Sequence, residues 1–262
     1  MRQIFHGTET TPQDLVIAIR EAKHIVVFTG AGVSAESGIP TFRDSLTGLW
    51  ERCDAEDLAT PAAFRRDREL VWGWYEWRRM KVLGAQPNPA HRVIAALAQH
   101  VSKLTVVTQN VDDLHERAGS QNVLHLHGSL HHPYCFTCGQ AHTFAPGVPN
   151  EPEGGRRLSP PVCSRCGGDV RPGVVWFGED LPRRELLCAN TLAQACDLLF
   201  AIGTSGLVYP AAQIPILAKQ SGARVAQINP TVTQLDAACS WSLHGAAGEM
   251  LPCLLQAAFP QI

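Results

Sequence analysis

One apolar run that ends in a glycine-rich loop constrains the fold of this chain more than any other feature. Residues 24–29 form a run rich in β-branched residues, which is typical of a buried strand. The run leads directly into Gly30 to Asp44, which reads GAGVSAESGIPTFRD. Gly30 and Gly32 at a strand end allow a tight turn and a close approach to phosphate, and a helix opening at Ser34 to Ser37 would favour anionic oxygen. We therefore expect a nucleotide-binding unit here.

The second half of this loop points beyond simple cofactor binding. Residues 39–44 read IPTFRD, so an aromatic side chain, Phe42, is followed by a cation, Arg43, on a loop stiffened by Pro40. A plain dinucleotide-binding fold does not require such a segment. We expect the loop to close over a bound ligand.

Strand and helix patterns alternate along most of the chain. Predicted strands cover 24–29, 104–108, 123–127, 197–202 and 224–228, and predicted helices cover 11–22, 90–98, 183–194, 209–219 and 248–257. This alternation predicts an α/β fold, a Rossmann-like, doubly wound parallel sheet, accompanied by a smaller domain made of a zinc ribbon and a helical insertion. The expected units are a Rossmann-like domain formed by 1–44, 89–128 and 172–262, a helical insertion at 45–88 and a zinc-ribbon module at 129–171.

Composition excludes several classes of protein. The formal net charge is −2, and no basic block suggests a nucleic-acid surface. The first ten residues lack the order of a signal peptide, and no apolar run reaches the ~18 residues that a membrane span needs. We expect a cytoplasmic protein that binds neither nucleic acid nor membranes. In a reducing compartment, nine cysteines indicate metal binding or buried thiols rather than disulfides.

Four of the cysteines form two CxxC turns. Cys135 and Cys138 precede Gly139, and Cys163 and Cys166 precede a pair of glycines. Four thiolates in a tetrahedral array select zinc and leave no open position for catalysis, so we predict one structural zinc ion per chain. A redox CxxC motif is the alternative, but it would not need a spaced duplicate.

Polar residues follow four predicted strand ends. The four ends carry the loop that begins at Gly30, the amides and the carboxylate of Gln109, Asn110 and Asp112, the turn Gly203 to Ser205, and Asn229. Ligands bind at this edge of open α/β sheets. Amide and carboxylate groups suit a ribose or a carboxamide, so the coincidence predicts one shared ligand site.

Two histidines, His125 and His127, compete for the role of general base. Strand alternation would place both on the same side, so periodicity does not choose between them. The glycine after His127 favours that residue, because a histidine at a strand end can approach a ligand. An imidazole titrates near neutrality, which suits general-base catalysis.

The order of these motifs resembles that of the sirtuins, the NAD-dependent protein deacylases. The segments GAGVSAESGIPTFRD, TQNVDDLHERAG, LHLHG, the two CxxC pairs, GTS and INP follow one another from about residue 22 to 252. Tyr75-Glu-Trp-Arg78 is similar to the YxxR signature of the class III, desuccinylase-like branch, as is Ala59-Thr-Pro61. Asp44 to Gly48 differs from the usual Gly/Ala-rich loop, and Asn229-Pro-Thr231 lacks an acidic residue often found after the proline.

The resemblance implies an NAD site, a catalytic pair and a substrate site. The implied catalytic residues are Asn110 and His127. The implied NAD-binding residues are Gly30, Ala31, Gly32, Phe42, Arg43, Gln109, Asn110, Val111, Asp112, Gly203, Thr204, Ser205, Asn229 and Ala247. An acyl-lysine protein or peptide would pair as a strand with the segment containing Val175, Phe177 and Gly178, and with Gly206 to Val208.

The implied reaction consumes NAD as a co-substrate. The acyl oxygen attacks C1′ of the ribose as nicotinamide leaves, and His127 acts as base toward a ribose hydroxyl. The products would be free lysine, nicotinamide and O-acyl-ADP-ribose. The alternatives are a mono-ADP-ribosyltransferase that uses the same NAD site and a non-enzymatic module that senses NAD or binds nucleic acid.

The acyl preference rests on Tyr75 and Arg78. Three residues apart on a predicted helix, they share one face. A guanidinium binds a carboxylate through two hydrogen bonds, and a phenol adds a third. We therefore expect removal of succinyl and malonyl groups, which end in a carboxylate, as well as acetyl groups. Spacing alone would fit an ordinary surface arginine on an aromatic-rich helix; the resemblance favours the substrate role.

Overall fold

The computed structural model describes residues 3–6, 11–41 and 54–260. Its strands are β1 Gln3–His6, β2 His24–Thr29, β3 Lys103–Thr108, β4 Val123–His125, β5 Tyr134–Cys135, β6 Val170–Arg171, β7 Leu198–Ile202, β8 Arg224–Asn229 and β9 Trp241–His244. Seven of them form one sheet in the order β1-β9-β8-β7-β2-β3-β4, and every pairing in it is parallel. β5 and β6 pair antiparallel in a separate small sheet.

Nine α-helices lie within the described part of the chain. They are α1 Gln13–Glu21, α2 Ala55–Leu58, α3 Pro61–Arg66, α4 Arg68–Gly84, α5 Pro89–Leu97, α6 Leu114–Arg117, α7 Arg183–Ala195, α8 Ile214–Gln220 and α9 Ala247–Ala258. Short 3-10 helices cover Ala31–Ser37, Ala211–Gln213 and Gln234–Ala238. In this part of the chain, none of the helices is long and apolar enough to cross a membrane.

The parallel sheet confirms the predicted doubly wound architecture. Chain order reverses around β2, which lies between β3 and β7, and this topology creates a crevice at the carboxyl ends of these strands. One apolar cluster packs α1, α5 and α9 against one face of the sheet, and a second packs α7 and α8 against the other. The crevice is therefore framed by a sheet with helices packed on both faces.

The helical insertion has its own apolar cluster. α2, α3 and α4 pack around Trp74 and Phe64, and the loop that follows β6 contributes Trp176 to the same cluster. Side-chain caps start these helices: Thr60 accepts from Ala63 N at 3.0 Å. The cluster joins the helical insertion to the loop that leaves the cysteine-rich module. The domain boundaries themselves stay a prediction.

Most predicted elements appear with small shifts, and three differences have physical reasons. The predicted helix at 34–37 is a 3-10 helix that covers Ala31–Ser37 and is followed by Gly38, whose φ of +79° suits glycine. The helix expected from 209 begins at Ile214, because the preceding residues form a 3-10 turn. β1 and β9 were not predicted: each has four residues, and β9 buries the polar Ser242.

Candidate active site

A cavity of about 1000 Å³ opens at the carboxyl ends of the central strands. Its walls come from the residues after β2, β3, β4, β7 and β8 and from α4. Predicted site residues that line it are Gly30, Ala31, Gly32, Tyr75, Arg78, Gln109, Asn110, Val111, Asp112, His127, Val175, Phe177, Gly178, Gly203, Thr204, Ser205 and Asn229. The volume lies at the upper end of the range of small-molecule sites, roughly 300–1,000 Å³. One cavity therefore brings together predicted site residues that are far apart in the sequence.

Among the described residues, one predicted cofactor residue, Ala247, does not line this cavity. Ala247 is buried in the apolar core at the first turn of α9 and is not among the cavity-lining residues. Next to it, Gly248 N donates to the Glu36 carboxylate at 2.8 Å, so this helix end is already capped by an anion. Phe42, Arg43 and the Ser45 to Gly48 tip lie outside the described residues.

The glycines of the first loop are needed for packing between two strand ends. A Cβ at Gly30 would lie 2.8 Å from the Gly203 carbonyl oxygen, and a Cβ at Gly32 would lie 2.8 Å from Gly203 Cα. Gly203 itself has a φ of +60°. The absence of three side chains thus brings the loops after β2 and β7 into backbone contact, with the Gly32 N–H donating to the Gly203 carbonyl at 2.9 Å. This close contact shapes the floor of the cavity.

A serine holds the amide and the carboxylate of the cavity together. Ser34 Oγ donates to Asp112 Oδ2 and accepts from Asn110 Nδ2, both at 3.0 Å. Burial raises the pKa of Asp112, while its bonds to Leu114 N and Ser34 oppose this shift. Asn110 is 5% exposed, and its Oδ1 has no hydrogen-bond partner among the described residues. Such a buried acceptor suits a donor group of a ligand, for example a ribose hydroxyl or a carboxamide N–H.

His127 is held in one tautomer by the backbone. Its Nδ1 lies 2.9 Å from the Gln109 carbonyl oxygen, which only accepts, so Nδ1 carries the hydrogen. The neutral ring then presents an unprotonated Nε2. Burial lowers the pKa of His127 below its ordinary value of 6.5, although the bond to Gln109 opposes the shift. His127 is therefore neutral at pH 7 and is able to accept a proton.

His125 has a different environment. β4 ends at His125, so the strand alternation used in the sequence analysis does not extend to His127, and the two histidines line different cavities. The two ring nitrogens of His125 face the Asn110 carbonyl at 3.1 Å and the Glu116 carboxylate at 2.7 Å. Both partners are acceptors, so both nitrogens donate, and the carboxylate helps to raise the pKa of His125. A protonated imidazolium cannot act as a base.

Tyr75 and Arg78 line the cavity from α4, as the three-residue spacing predicts. Tyr75 is 3% exposed and accepts a hydrogen bond from Trp176 Nε1 at 3.0 Å. The Arg78 guanidinium lies 5.1 Å from the centre of the Trp74 ring. Burial lowers the pKa of Arg78, which Tyr75 and Asp112 oppose, and a guanidinium still remains charged. The pair offers a cation and a phenol in a largely dry region.

Several cavity residues escaped the sequence analysis. The sequence indicates Ser34 only as part of a helix opening. Its hydrogen bonds to residues 110 and 112 could not be predicted, because they join positions more than seventy residues apart. Thr231 to Gln234 extend the cavity wall beyond Asn229. The sequence signal for this part of the wall is the Asn-Pro turn at 229–230. Exposed apolar residues, among them Leu207 and Tyr209, form part of the rim.

The four predicted zinc ligands lie together in the cysteine-rich module. Their sulfur atoms are all within 4.8 Å of one another, with Cys135–Cys166 at 3.5 Å and Cys138–Cys163 at 3.8 Å. A tetrahedral site with Zn–S bonds of about 2.3 Å has a sulfur–sulfur edge of about 3.8 Å. The arrangement therefore fits one structural zinc ion, as predicted.

Loss of one zinc ligand is expected to destabilise the protein. We expect Cys138→Ser to reduce zinc content well below one per chain and to lower the thermal midpoint by more than about 5 °C, because the metal stabilises the folded module. Elemental analysis and thermal unfolding measure both effects. Cys188→Ser is the matched control, since Cys188 is exposed on α7 and lies outside the cluster. Wild-type protein that folds normally without zinc would contradict the assignment.

Comparison with known proteins gives a consistent result. The Sir2 family model matches residues 30–210. A protein of Methylococcus capsulatus named NAD-dependent protein deacylase is 60% identical over 93% of this chain and 96% of its own length. NAD-dependent protein deacylase 1 of Pseudomonas aeruginosa is 62% identical over 91% of this chain and 96% of its own length.

The solved structures agree with the sequence relatives. A structure described as a Sir2 homolog–NAD complex superposes with a TM-score of 0.87 at 45% identity and covers 98% of this chain and 96% of its own. Long matches in sequence and in structure thus point to the same group of proteins. The chain belongs to the Sir2 family, the sirtuins.

Proposed function

We propose that this protein is an NAD-dependent protein-lysine deacylase that transfers the acyl group to ADP-ribose. The observation that carries this proposal is the neutral His127, which has an unprotonated Nε2 and lines the same cavity as Asn110 and Asp112. Two relatives of this chain are named NAD-dependent protein deacylases, and one solved relative is a complex with NAD. A base, a site for a nucleotide and room for a second substrate are the parts that such a reaction needs.

The residues present fit NAD as the co-substrate. The glycine loop and the Gly203 to Ser205 turn would hold its phosphates, and the unpaired Asn110 Oδ1 and the Asp112 carboxylate would bind its ribose and carboxamide. NAD supplies an electrophilic ribose carbon and nicotinamide as the leaving group. His127 would accept a proton at Nε2 from a ribose hydroxyl, and Gln109 keeps the ring in the required tautomer.

The acyl-lysine substrate would enter along the rim of the cavity. Val175, Phe177 and Gly178 line one side, and Leu207 and Val208 line the other. Main-chain pairing with such a segment gives affinity with little demand on sequence, which suits a protein that acts on many peptides. Cytoplasmic localisation is part of this proposal, because a reducing compartment keeps the zinc-binding thiols available.

We further propose that the acyl group ends in a carboxylate, as in succinyl- and malonyl-lysine. Arg78 supplies the positive charge and Tyr75 a hydroxyl, and both line the cavity. An acetyl group lacks the carboxylate that would form charge-assisted hydrogen bonds with the guanidinium, so acetyl-lysine is the poorer substrate.

Product analysis tests the reaction type. An acyl-lysine peptide and NAD should give nicotinamide, the deacylated peptide and O-acyl-ADP-ribose in equal amounts, detected by mass spectrometry. Unmodified peptide should give no nicotinamide. A mono-ADP-ribosyltransferase would instead release nicotinamide with the unacylated peptide and leave ADP-ribose covalently attached to it. That result would overturn the deacylase proposal.

A further inference from the structure

Trp176 is the residue that contacts the Tyr75 hydroxyl. It lies in the loop after β6, is 1% exposed, and lines the cavity. Its indole Nε1 donates to Tyr75 Oη at 3.0 Å. The two residues are 101 positions apart, and the hydrogen bond joins the loop from the cysteine-rich module to the helical insertion. Nothing in the reaction described above uses this bond.

The hydrogen bond from Trp176 leaves the Tyr75 hydroxyl able to donate its own hydrogen to a different group. Because the oxygen accepts the indole N–H, its own hydrogen is available for an acceptor elsewhere, and no such acceptor exists among residues 3–6, 11–41 and 54–260. Burial raises the pKa of Tyr75, so the hydroxyl keeps its proton at working pH. A hydroxyl that accepts one hydrogen bond becomes a better donor in another.

Trp176 is itself held at two points. The Arg171 guanidinium carbon lies 3.5 Å from the centre of its ring, and Arg171 donates to the Glu179 carboxylate at 2.9 Å through Nη2. The same carboxylate accepts from the Trp176 backbone N–H at 2.9 Å. Arg171 is 3% exposed and belongs to β6 of the cysteine-rich module. The indole ring is thus clamped between fixed partners, which is what positioning another side chain requires.

We propose that Trp176 is a positioning residue for acyl selectivity: its indole N–H orients Tyr75 so that the hydroxyl proton is donated to the terminal carboxylate of the acyl group. This inference rests on the proposed function, because it needs a substrate carboxylate in the cavity. Trp176 is then a third residue of the acyl site. It lies in the loop after β6, whereas Tyr75 and Arg78 lie on α4. A purely structural Trp176 would affect all acyl groups alike.

Replacement of Trp176 by phenylalanine separates the two roles. Trp176→Phe removes the N–H and keeps an aromatic ring, and we expect KM for a succinyl-lysine peptide to rise about three- to tenfold, the effect of one hydrogen bond. Acetyl-lysine kinetics of the same enzyme should stay within about twofold, which also shows that the variant folds and binds NAD. Phe64→Leu is the matched control, since Phe64 packs 5.4 Å from the Trp176 ring without a polar atom, and it should leave the succinyl-to-acetyl ratio unchanged.

A double-mutant cycle identifies Tyr75 as the route. In a Tyr75→Phe background, Trp176→Phe should cause no further rise in KM, because the hydroxyl it orients is gone. If Trp176→Phe is poorly folded, Arg171→Lys replaces it: the charge opposite Glu179 remains, the planar stack is lost, and a smaller rise in the same direction is expected. Equal losses on both acyl groups, or full additivity with Tyr75→Phe, overturn the inference.

The failure of this inference differs from that of the proposed function. A wild-type preference for succinyl-lysine that Arg78→Met abolishes and Trp176→Phe leaves intact overturns the role of Trp176 alone. A wild type without that preference overturns the carboxylate site and this inference together.

Discussion

Replacing His127 with glutamine is expected to lower the rate of deacylation about 10²- to 10⁴-fold, the usual contribution of a general base. The glutamine amide is neutral and of similar size to the imidazole, but it offers no group able to take up a proton near neutrality. Binding of NAD should change only a few-fold, because the glycine loop, Asn110 and Asp112 remain. Single-turnover product formation and calorimetric NAD titration measure the two effects separately.

His132→Gln serves as the matched control. Its side chain is exposed and lines the smaller cavity beside His125, so we expect wild-type kinetics. A variant at position 127 that retains more than about a tenth of the wild-type rate would show that this imidazole is not the base.

The pH dependence follows from the environment of the same ring. Because burial lowers the pKa of His127, the neutral form is present at pH 7 and above, and is lost when the pH falls below that pKa. We expect kcat/KM to fall on the acid side with an apparent pKa below 6.5, and His127→Gln should abolish this acid limb. An acid limb that persists in the variant would assign it to another group.

Replacing Arg78 with methionine should lower kcat/KM for succinyl- and malonyl-lysine peptides by more than about a hundredfold, because a carboxylate would enter a buried site without a cation. Methionine retains much of the length and the apolar contacts of the arginine stem. Acetyl-lysine kinetics should remain within a few-fold, because an acetyl group has no carboxylate for the guanidinium to bind. Kinetics with three acyl versions of one peptide measure the difference.

Arg66→Met is the control for loss of a positive charge outside the cavity. Arg66 is exposed at the end of α3, and no change in selectivity is expected. Equal losses on all three acyl groups in Arg78→Met would mean that Arg78 stabilises the enzyme, for example through the nearby Asp112, instead of binding the acyl carboxylate.

Local signals account for much of what the sequence could predict. The glycine loop, the polar strand ends and the paired CxxC turns each combine residue type with a neighbouring element, and the structure places them at one cavity and one cysteine cluster. Parallel strands bring their carboxyl ends to the same edge, so a correct order of strands and helices already implies a shared site.

The features that could not be predicted depend on contacts between distant segments. The glycine after His127 and the family resemblance favour that residue over His125, but the acceptors around each ring, which set the two protonation states, come from other segments. The sequence explains Gly30 and Gly32 by a tight turn and an approach to phosphate, whereas a Cβ at either position would meet the backbone of Gly203. The bond between residues 75 and 176 has no local signature in either segment. Periodicity reports on a residue's own element and does not identify its partner.

We expect the cavity to select a carboxylate-terminated acyl-lysine and to use NAD to remove the acyl group. The most direct test is the kcat/KM ratio of the wild-type enzyme for succinyl-lysine over acetyl-lysine in the same peptide, with and without NAD. We expect no turnover without NAD and a ratio above about ten with it, equivalent to more than about 1.4 kcal/mol. A ratio of one or less, or deacylation that does not require NAD, would contradict it.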